Sequence, residues 1–413
     1  MSQQRMRRRW LVWVSMLLLL TIAGLAQPSD VSFLHYSTDN GLSNNVVTSV
    51  LKDRQGFMWF GTVNGLNRFD GLRFTVYKRT GRPDGLPGNY IVNDGLSLDA
   101  DGFVWISTNR GLCQYNPQTD RFQAIPLPQQ RDQVADNDFV SPVRFDRAGM
   151  GWFASVDRLY RLEPRTHRLT AFPVPSVLPN AFAIPIPDRQ GQVWLHHWSG
   201  LYRFDPTTRR YTYYMGADDT HPKAPERVYV LTEDKSGQVY ALLDGGRVTR
   251  FDPASNRFVT LFTCPGTVTA LEKDRLPDGR EFFWLGSFNK LIRYIPADKR
   301  FTQFTHNASD PLSFGGGTIG VMQTDPHTGI VWIGTTEGIA KIDPVSLKFS
   351  RRWLPASADG AHEMVEVIRQ DRRNDELYWI LGNHTLYQWN RRSDSLKTIL
   401  INGTAPRNDP AMI

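Results

Sequence analysis

One aromatic residue recurs along almost the whole chain. Trp59, Trp105, Trp152, Trp194, Tyr240, Trp284, Trp332 and Trp379 are separated by 46, 47, 42, 46, 44, 48 and 47 residues. A period of that length marks an array of similar supersecondary units, each burying its apolar face against the next. Ahead of the first five aromatics stands Asp-x-x-Gly, with the aromatic three residues after the Gly: Asp53/Gly56, Asp99/Gly102, Asp146/Gly149, Asp188/Gly191 and Asp234/Gly237. In the seventh copy Asp325 and Gly329 enclose one extra residue, and the sixth and eighth copies are looser. A second segment follows the aromatic, as Gly65 to Asp70, Gly111 to Pro117, Gly200 to Pro206 and Gly338 to Pro344. A third carries Phe74, Phe122, Tyr211, Phe258, Phe301 or Phe349.

Each unit reads as four short strands, A to D. Strand A is apolar and precedes the Asp (Val47 to Leu51, Val228 to Leu231). The Asp caps a tight turn through its side chain, and the Gly takes the positive φ that the turn needs. A calcium loop would need several oxygen ligands at fixed offsets, which this motif lacks. Strand B, as in Phe57-Met58-Trp59-Phe60 and Val331-Trp332-Ile333, is apolar on both faces. A strand of a one-sided sheet would alternate. Each small sheet is therefore sandwiched between neighbours, so the expected fold is all-β, a β-propeller of four-stranded blades. The recurring Trp residues are read as packing between blades.

The count of strands leaves two arrangements open. Phe33-Leu34-His35-Tyr36 precedes the first strand A and resembles a strand D, like Phe301-Thr302-Gln303-Phe304 before the seventh unit. A leading strand D allows the ring to close by completing its last blade from both ends of the chain. Eight A–B–C units with nine D-like strands give either seven blades plus the start of a second propeller, or a single eight-bladed ring. The tail from Ile401 to Ile413 reads as loop.

The amino terminus sets the expected compartment. Arg5, Arg7, Arg8 and Arg9 precede an apolar stretch from Trp10 to Leu20, and small residues Gly24 and Ala26 suit cleavage before Gln27. That pattern is a secretory signal peptide over residues 1–26, and the location expected is periplasmic. Its apolar stretch is shorter than the roughly 20 residues that span a bilayer, and no later segment is long enough. The formal charge of +7 falls to about +3 without the four leader arginines, so the basic character is no argument for nucleic acid. Cys113 and Cys264 are the only cysteines and are read as buried free thiols rather than a bridge. No catalytic signature is present, and no cofactor or metal is expected.

These residues carry a resemblance. Tyr36-Ser37-Thr38-Asp39-Asn40-Gly41-Leu42-Ser43-Asn44-Asn45-Val46, followed by Asp53-Arg54-Gln55-Gly56-Phe57-Met58-Trp59-Phe60-Gly61-Thr62 and Gly65-Leu66-Asn67-Arg68-Phe69-Asp70, resembles the two-component regulator propeller repeat family. The similarity runs from residue 33 to about 400. It implies the periplasmic sensor region of a hybrid two-component histidine kinase, with paired seven-bladed rings, an immunoglobulin-like domain, a membrane helix, a kinase and a response regulator. It also implies a glycan-derived ligand. The chain holds about half that number of repeats and no kinase segment, so a truncated receptor is expected, with a seven-bladed propeller over 27–353 and an extra blade over 354–413 that starts a second ring.

Function is expected where the repeat is broken. A–B and C–D turns share one face of a propeller, and the variable D–A connections share the other with the B–C turns. The D–A segments Lys78 to Tyr90, Pro126 to Phe139, Gly216 to Glu226 and His306 to Gly317 are irregular, and irregular loops on a rigid scaffold are where binding usually resides. After the aromatic, most units place small residues such as Gly61-Thr62, Ser107-Thr108 or Gly334-Thr335, whereas the fourth has His196-His197-Trp198. Paired imidazoles and an indole there could hydrogen-bond to and stack on a sugar; equally, they could fill space. Neighbouring His residues point to opposite sides of a strand, against a metal site. Asn64, Asn109, Arg110, Asn289, Glu337 and His384 are further candidate contacts by placement. The expected function is a ligand-sensing module for a small molecule or oligosaccharide, with a signalling-receptor subunit or a second copy as partner. The alternatives are a propeller lyase or glycosidase and a protein-binding scaffold.

Overall fold

The computed structural model describes residues 31–127, 139–155, 158–174, 184–197, 200–215, 227–234, 237–276, 279–308, 310–343, 354, 365–374, 376–382, 385–390 and 395–399. The leader, Trp198, Phe349, His384, the tail and most of the D–A segments 126–139 and 216–226 lie outside them. The chain divides into two compact units, Met1–Lys348 and Phe349–Ile413. Both are built from four-stranded antiparallel sheets, seven in the first unit and one in the second.

Blade 1 runs Val47–Lys52, Met58–Thr62, Gly65–Phe69 and Phe74–Tyr77, strands A to D in chain order. Blades 2 to 6 repeat this plan, from strand A of blade 2 at Ile91–Leu98 to strand D of blade 6 at Arg300–Thr305. Blade 7 takes strands A to C from Ile319–Thr324, Val331–Thr335 and Gly338–Ile342. Its strand D is Phe33–Tyr36, from the start of the chain, paired antiparallel with Gly338–Ile342 so that Phe33 faces Ile342 and Tyr36 faces Ile339. Inner strands follow one another from blade 1 to blade 7, and Ile319–Thr324 then lies against Val47–Lys52 of blade 1. In the first unit the ring closes on seven blades.

The packing explains why strand B is apolar on both faces. Among the described residues the first unit holds seven buried apolar clusters, each shared by two adjacent blades. Trp59 belongs to the cluster between blades 1 and 2, and the next residue, Phe60, to the cluster between blades 7 and 1. Trp59, Trp105 and Trp194 are completely buried. Cys113 and Cys264 are free, buried thiols in two different clusters.

The recurring Asp does more than cap its turn. In blade 1, Asp53 Oδ1 accepts from the backbone N–H groups of Gln55 and Phe57, each at 2.9 Å, while Oδ2 accepts the buried Trp59 indole N–H at 2.7 Å. Asp99–Trp105, Asp146–Trp152 and Asp188–Trp194 repeat the indole bond at 2.8, 2.9 and 2.8 Å. In blade 5 the Tyr240 hydroxyl donates to Asp234 at 3.2 Å. A buried indole N–H is costly without an acceptor, so the Asp makes the Trp compatible with the core. Blade 6 departs: Leu276 heads its turn, and among the described residues the Trp284 indole has no hydrogen-bond partner.

Opposite the Trp on strand C sits a cation in most blades. Arg68, Arg161, Arg203, Arg293 and Lys341 pair in register with Trp59, Trp152, Trp194, Trp284 and Trp332. Each lies 5.3–5.9 Å from the centroid of its Trp ring.

The single blade of the second unit is Val365–Gln370, Leu377–Gly382, Leu386–Asn390 and Ser395–Ile399. Two extra residues separate its Asp from its Trp, yet the Trp379 indole still donates to Asp371 at 2.9 Å. Its strand A is exposed throughout, including Val365, Val367 and Ile368.

At the seam between blades 7 and 1 the turn Asp has a different partner. Asp325 Oδ2 accepts from Lys52 Nζ across the blades at 2.6 Å and from Thr328 Oγ1 at 2.6 Å. Burial works to raise the Asp325 pKa, but the bonds from Lys52, Thr328 and the His327 backbone outweigh it and hold the carboxyl at about 2.

Two measurements check this account. Trp105→Ala should cost roughly 3–5 kcal/mol in denaturant unfolding, and Asp99→Ala, which strands the indole N–H, about 1–3 kcal/mol. A Trp105→Ala midpoint within error of the wild type would remove that residue from the core. Because the folded pKa of Asp325 is depressed, its contribution is fully present above the unfolded carboxylate range and is lost as pH falls from about 4 toward 2. Lys52→Met should therefore destabilise at pH 7, with the gap to wild type closing by about pH 2. A gap independent of pH would show that Lys52 acts through packing alone.

Candidate functional site

The segment joining the closing strand to blade 1 is held by its own polar side chains. Ser37 Oγ accepts from Asp39 N at 3.2 Å and Asn40 Oδ1 from Ser37 N at 2.9 Å, capping the short 3-10 turn Thr38–Asn40. Gly41 ends it at φ +97°, a left-handed value suited to glycine. Thr38 N donates to Asn45 Oδ1 and Ser43 N to Asn67 Oδ1, both at 2.8 Å. Leu42 then enters the core between blades 7 and 1. The polar run from Ser37 to Asn45 thus splices the last blade to the first.

Beside this splice lies a cavity of about 160 Å³, lined by His35, Tyr36, Ser37, Asn40, Glu337 and the glycines 315 and 316. The D–A segment from blade 6 crosses closely over it. A Cβ at Gly315 would stand 2.8 Å from His35 Nδ1, so only glycine passes there. His35 Nε2 bonds the Ser313 carbonyl at 2.8 Å. Burial lowers the His35 pKa; the Ser313 carbonyl opposes this and nearby His306 adds to it. Glu337 is exposed at the mouth of the cavity, its backbone N–H donating to Thr335 Oγ1 at 3.0 Å. The lining residues carry a carboxylate, a hydroxyl, an amide and an imidazole, while the Tyr36 ring packs on Phe69, Phe74 and Trp332 between blades 7 and 1.

The other candidates separate. Asn289, at φ +52°, accepts from Gly317 N at 2.9 Å and donates its own N–H to Gly317 O at 3.1 Å, so its amide pins the loop that Glu337 faces. Asn64 is exposed on the B–C turn of blade 1, where Thr62 Oγ1 accepts its backbone N–H and donates to Gly65 O. Thr108 fixes the turn holding Asn109 and Arg110 in the same way. Asn109 N donates to Tyr90 O, and a Cβ at Gly88 would come within 2.5 Å of Asn109 Oδ1. His196 is half-buried at the register position of Gly61, Gly286 and Gly334. Those glycines are small for a reason: a Cβ would meet Ile91, Ile319 or Val47 of the following blade at 2.6–2.7 Å. Blade 5 breaks the same rule with buried Leu242, so bulk at this position is not confined to the fourth blade. His197 ends its strand B.

Sequence reasoning missed His35, Tyr36, Ser37 and Asn40, since only contact with blade 7 shows that they line a cavity. The D–A segment 78–90 also departs from expectation. Rather than staying on the loop face, it runs down the outer rim of blade 2, where Asp84 O accepts from Phe122 N at 3.1 Å and Leu86 is buried. It covers an otherwise open strand edge.

A depressed His35 pKa means that the unfolded chain takes up its proton first as pH falls. Stability should therefore drop as pH falls below about 6.5, and His35→Gln, which keeps a donor for Ser313, should flatten that part of a melting-temperature profile. An unchanged slope in His35→Gln would remove His35 as its source.

Comparison with known proteins places these features. A family model described as "two component regulator propeller" matches residues 41–64 and 85–110. Histidine kinase P4 of Formosa agariphila is 39% identical over 59 residues, which is 14% of this chain and 4% of the kinase. The extracellular domain of a hybrid two-component system from B. thetaiotaomicron superposes with a TM-score of 0.64 at 20% identity, over 90% of this chain and 49% of that one. The extracellular domain of a one-component system from the same organism gives 0.59 at 19% identity, over 90% and 48%. The chain thus spans about half the length of these solved domains, and they share its fold. The two stretches that match the family model lie in the splice with strands A and B of blade 1, and in strands A and B of blade 2.

Proposed function

We propose that this chain is the ligand-sensing propeller module of a two-component signalling receptor, exported by its leader to the periplasm, and that its B–C and D–A face binds a glycan-derived ligand. The observation that carries the reading is the polar cavity at the ring closure. It is assembled from the splice that bears the repeat-family motif, so whatever enters it touches the first and last elements of the ring at once. Ser37, Asn40 and Glu337 supply donors and acceptors suited to hydroxyl groups. His196, Asn64, Asn109 and Arg110 are outlying contacts of the same face, and His197 follows His196 at the end of its strand B. No described residue group of three or more His, Cys, Asp or Glu is positioned to hold a metal ion. No described helix is long and apolar enough to cross a membrane.

The second unit is read as the first blade of a further ring. Val365, Val367 and Ile368 are exposed on its strand A, 39–56% by area, where the matching strand of blade 1 is buried. Apolar residues on that strand suit a neighbouring blade.

Glycan-array screening of residues 27–413, followed by calorimetry, tests the proposal. A bound oligosaccharide whose affinity falls about tenfold in Glu337→Gln, a loss of 1.4 kcal/mol, is the expected result. Turnover of the bound glycan would make the protein an enzyme instead, and capture of a receptor subunit without sugar binding would make it a scaffold.

A further inference from the structure

The outer rim between adjacent blades is filled in a repeated way. Between blades 1 and 2, Arg68 donates to the Tyr115 hydroxyl at 3.0 Å, and Tyr115 and Tyr77 both donate to Asp120, at 2.7 and 2.8 Å. Between blades 4 and 5, Arg203 reaches the Tyr214 hydroxyl at 3.4 Å, which donates to Asn256 at 2.8 Å. Asp120 and Asn256 occupy the same left-handed position of the C–D turn, at φ +54° and +53°. Cation, tyrosine and oxygen acceptor together close the gap.

Between blades 2 and 3 all three are replaced. Gln114 pairs with Trp105 where Arg68 pairs with Trp59. Ile125 stands in register where Tyr77 stands, and His167, at φ +57°, takes the turn position of Asp120. The shorter side chains leave a cavity of about 520 Å³ between the two blades, within the range of small-ligand sites.

Its lining is polar but electrically matched. On the floor, Gln114 is almost fully buried, and its Oε1 accepts from His167 Nε2 at 3.3 Å. Gln123 Nε2 donates to His167 Nδ1 at 3.4 Å. One ring nitrogen donating and the other accepting is the pattern of a neutral imidazole. Burial lowers the His167 pKa, in keeping with that form. At the mouth, Arg121 lies 3.8 Å from Asp84, and Arg165 is held by Asp101 through two bonds at 2.9 and 3.0 Å. An ionic ligand would have to compete with these pairs. A ligand bearing hydroxyl groups would not: the amides of Gln114, Gln123 and Asn116 offer both donors and acceptors, and Phe103 and Pro164 offer apolar surface.

We propose that this rim pocket between blades 2 and 3 is a second binding site, for a neutral, hydroxyl-rich ligand such as a polyol or a short saccharide. It stands beside the A–B and C–D turns and does not depend on the cavity at the ring closure. The test uses the whole chain. Maltose, cellobiose and xylobiose as saccharides and inositol as a polyol are screened by saturation-transfer NMR, with digalacturonate as anion and spermidine as cation for comparison; hits are titrated by calorimetry. At least one neutral probe should bind, the saccharides and inositol showing which source the pocket prefers. Gln114→Arg, which restores the cation of the other blades, should weaken that binding tenfold or more. Thr119→Trp, an exposed substitution at the mouth, should do the same and decides the matter if Gln114→Arg does not fold. Absence of binding by every neutral probe, tighter binding of a charged one, or wild-type affinity in Thr119→Trp would each overturn the proposal.

Discussion

Every blade of the ring is apolar on both faces, and the rest of the structure follows from that. Trp59 and Phe60 are consecutive residues, yet one packs toward blade 2 and the other toward blade 7. A sheet of this kind has no solvent-tolerant side, so the array gains most when no blade is left at an end. Closure does this with one short strand. Phe33 is completely buried and packs edge-on against Phe304 of blade 6 and Phe314 of the loop before blade 7, at 5.9 and 5.6 Å. The first residues of the ring thus tie its last blade, and strands far apart in sequence must meet before the core is complete.

The second constraint is polar. A Trp large enough to fill the space between blades brings an indole N–H into the core. The Asp that shapes the preceding turn is within reach to accept it. One carboxylate therefore serves the backbone through one oxygen and the core through the other, which couples turn geometry to packing. Where the coupling is absent the details shift. Leu276 leaves Trp284 without an acceptor among the described residues, and Asp325 turns to Lys52 across the closing seam.

Much of this was legible in the sequence. The spacing of the aromatics, the Asp-x-x-Gly turns and the doubly apolar strand B give the blades, and the strand-like Phe33–Tyr36 gives the means of closure. The indole bond was not legible, because it depends on a side chain six residues back being brought round by the hairpin. In the blade of the second unit the same bond survives a changed spacing, Asp371 to Trp379, that reads as a looser copy. The candidate site was legible only in part. Glu337 follows from its place on a B–C turn, whereas His35 and Asn40 line the same cavity only because the chain ends its ring where it began. Asn289 shows the converse, since its placement on the loop face leads to a structural bond with Gly317 and not to an open contact.

The C–D turns show how such a repeat leaves room for specificity. Asp120, His167, Arg209, Asn256 and Lys299 all adopt the same left-handed conformation, with φ between +50° and +57°. Asn and Asp are the residues most at ease there, yet the position also carries a histidine, an arginine and a lysine. The backbone bond that closes the turn, as from Asp120 N to Asn116 O and from His167 N to Glu163 O, is indifferent to the side chain. What the side chain decides is the rim. With Asp120 or Asn256 it completes a tyrosine-centred network and the gap between blades is sealed. With His167 the network cannot form, because the partner tyrosine and arginine are absent as well, and the gap stays open. Three substitutions at equivalent positions thus convert a packing interface into a cavity without altering a strand, a turn or the closure of the ring.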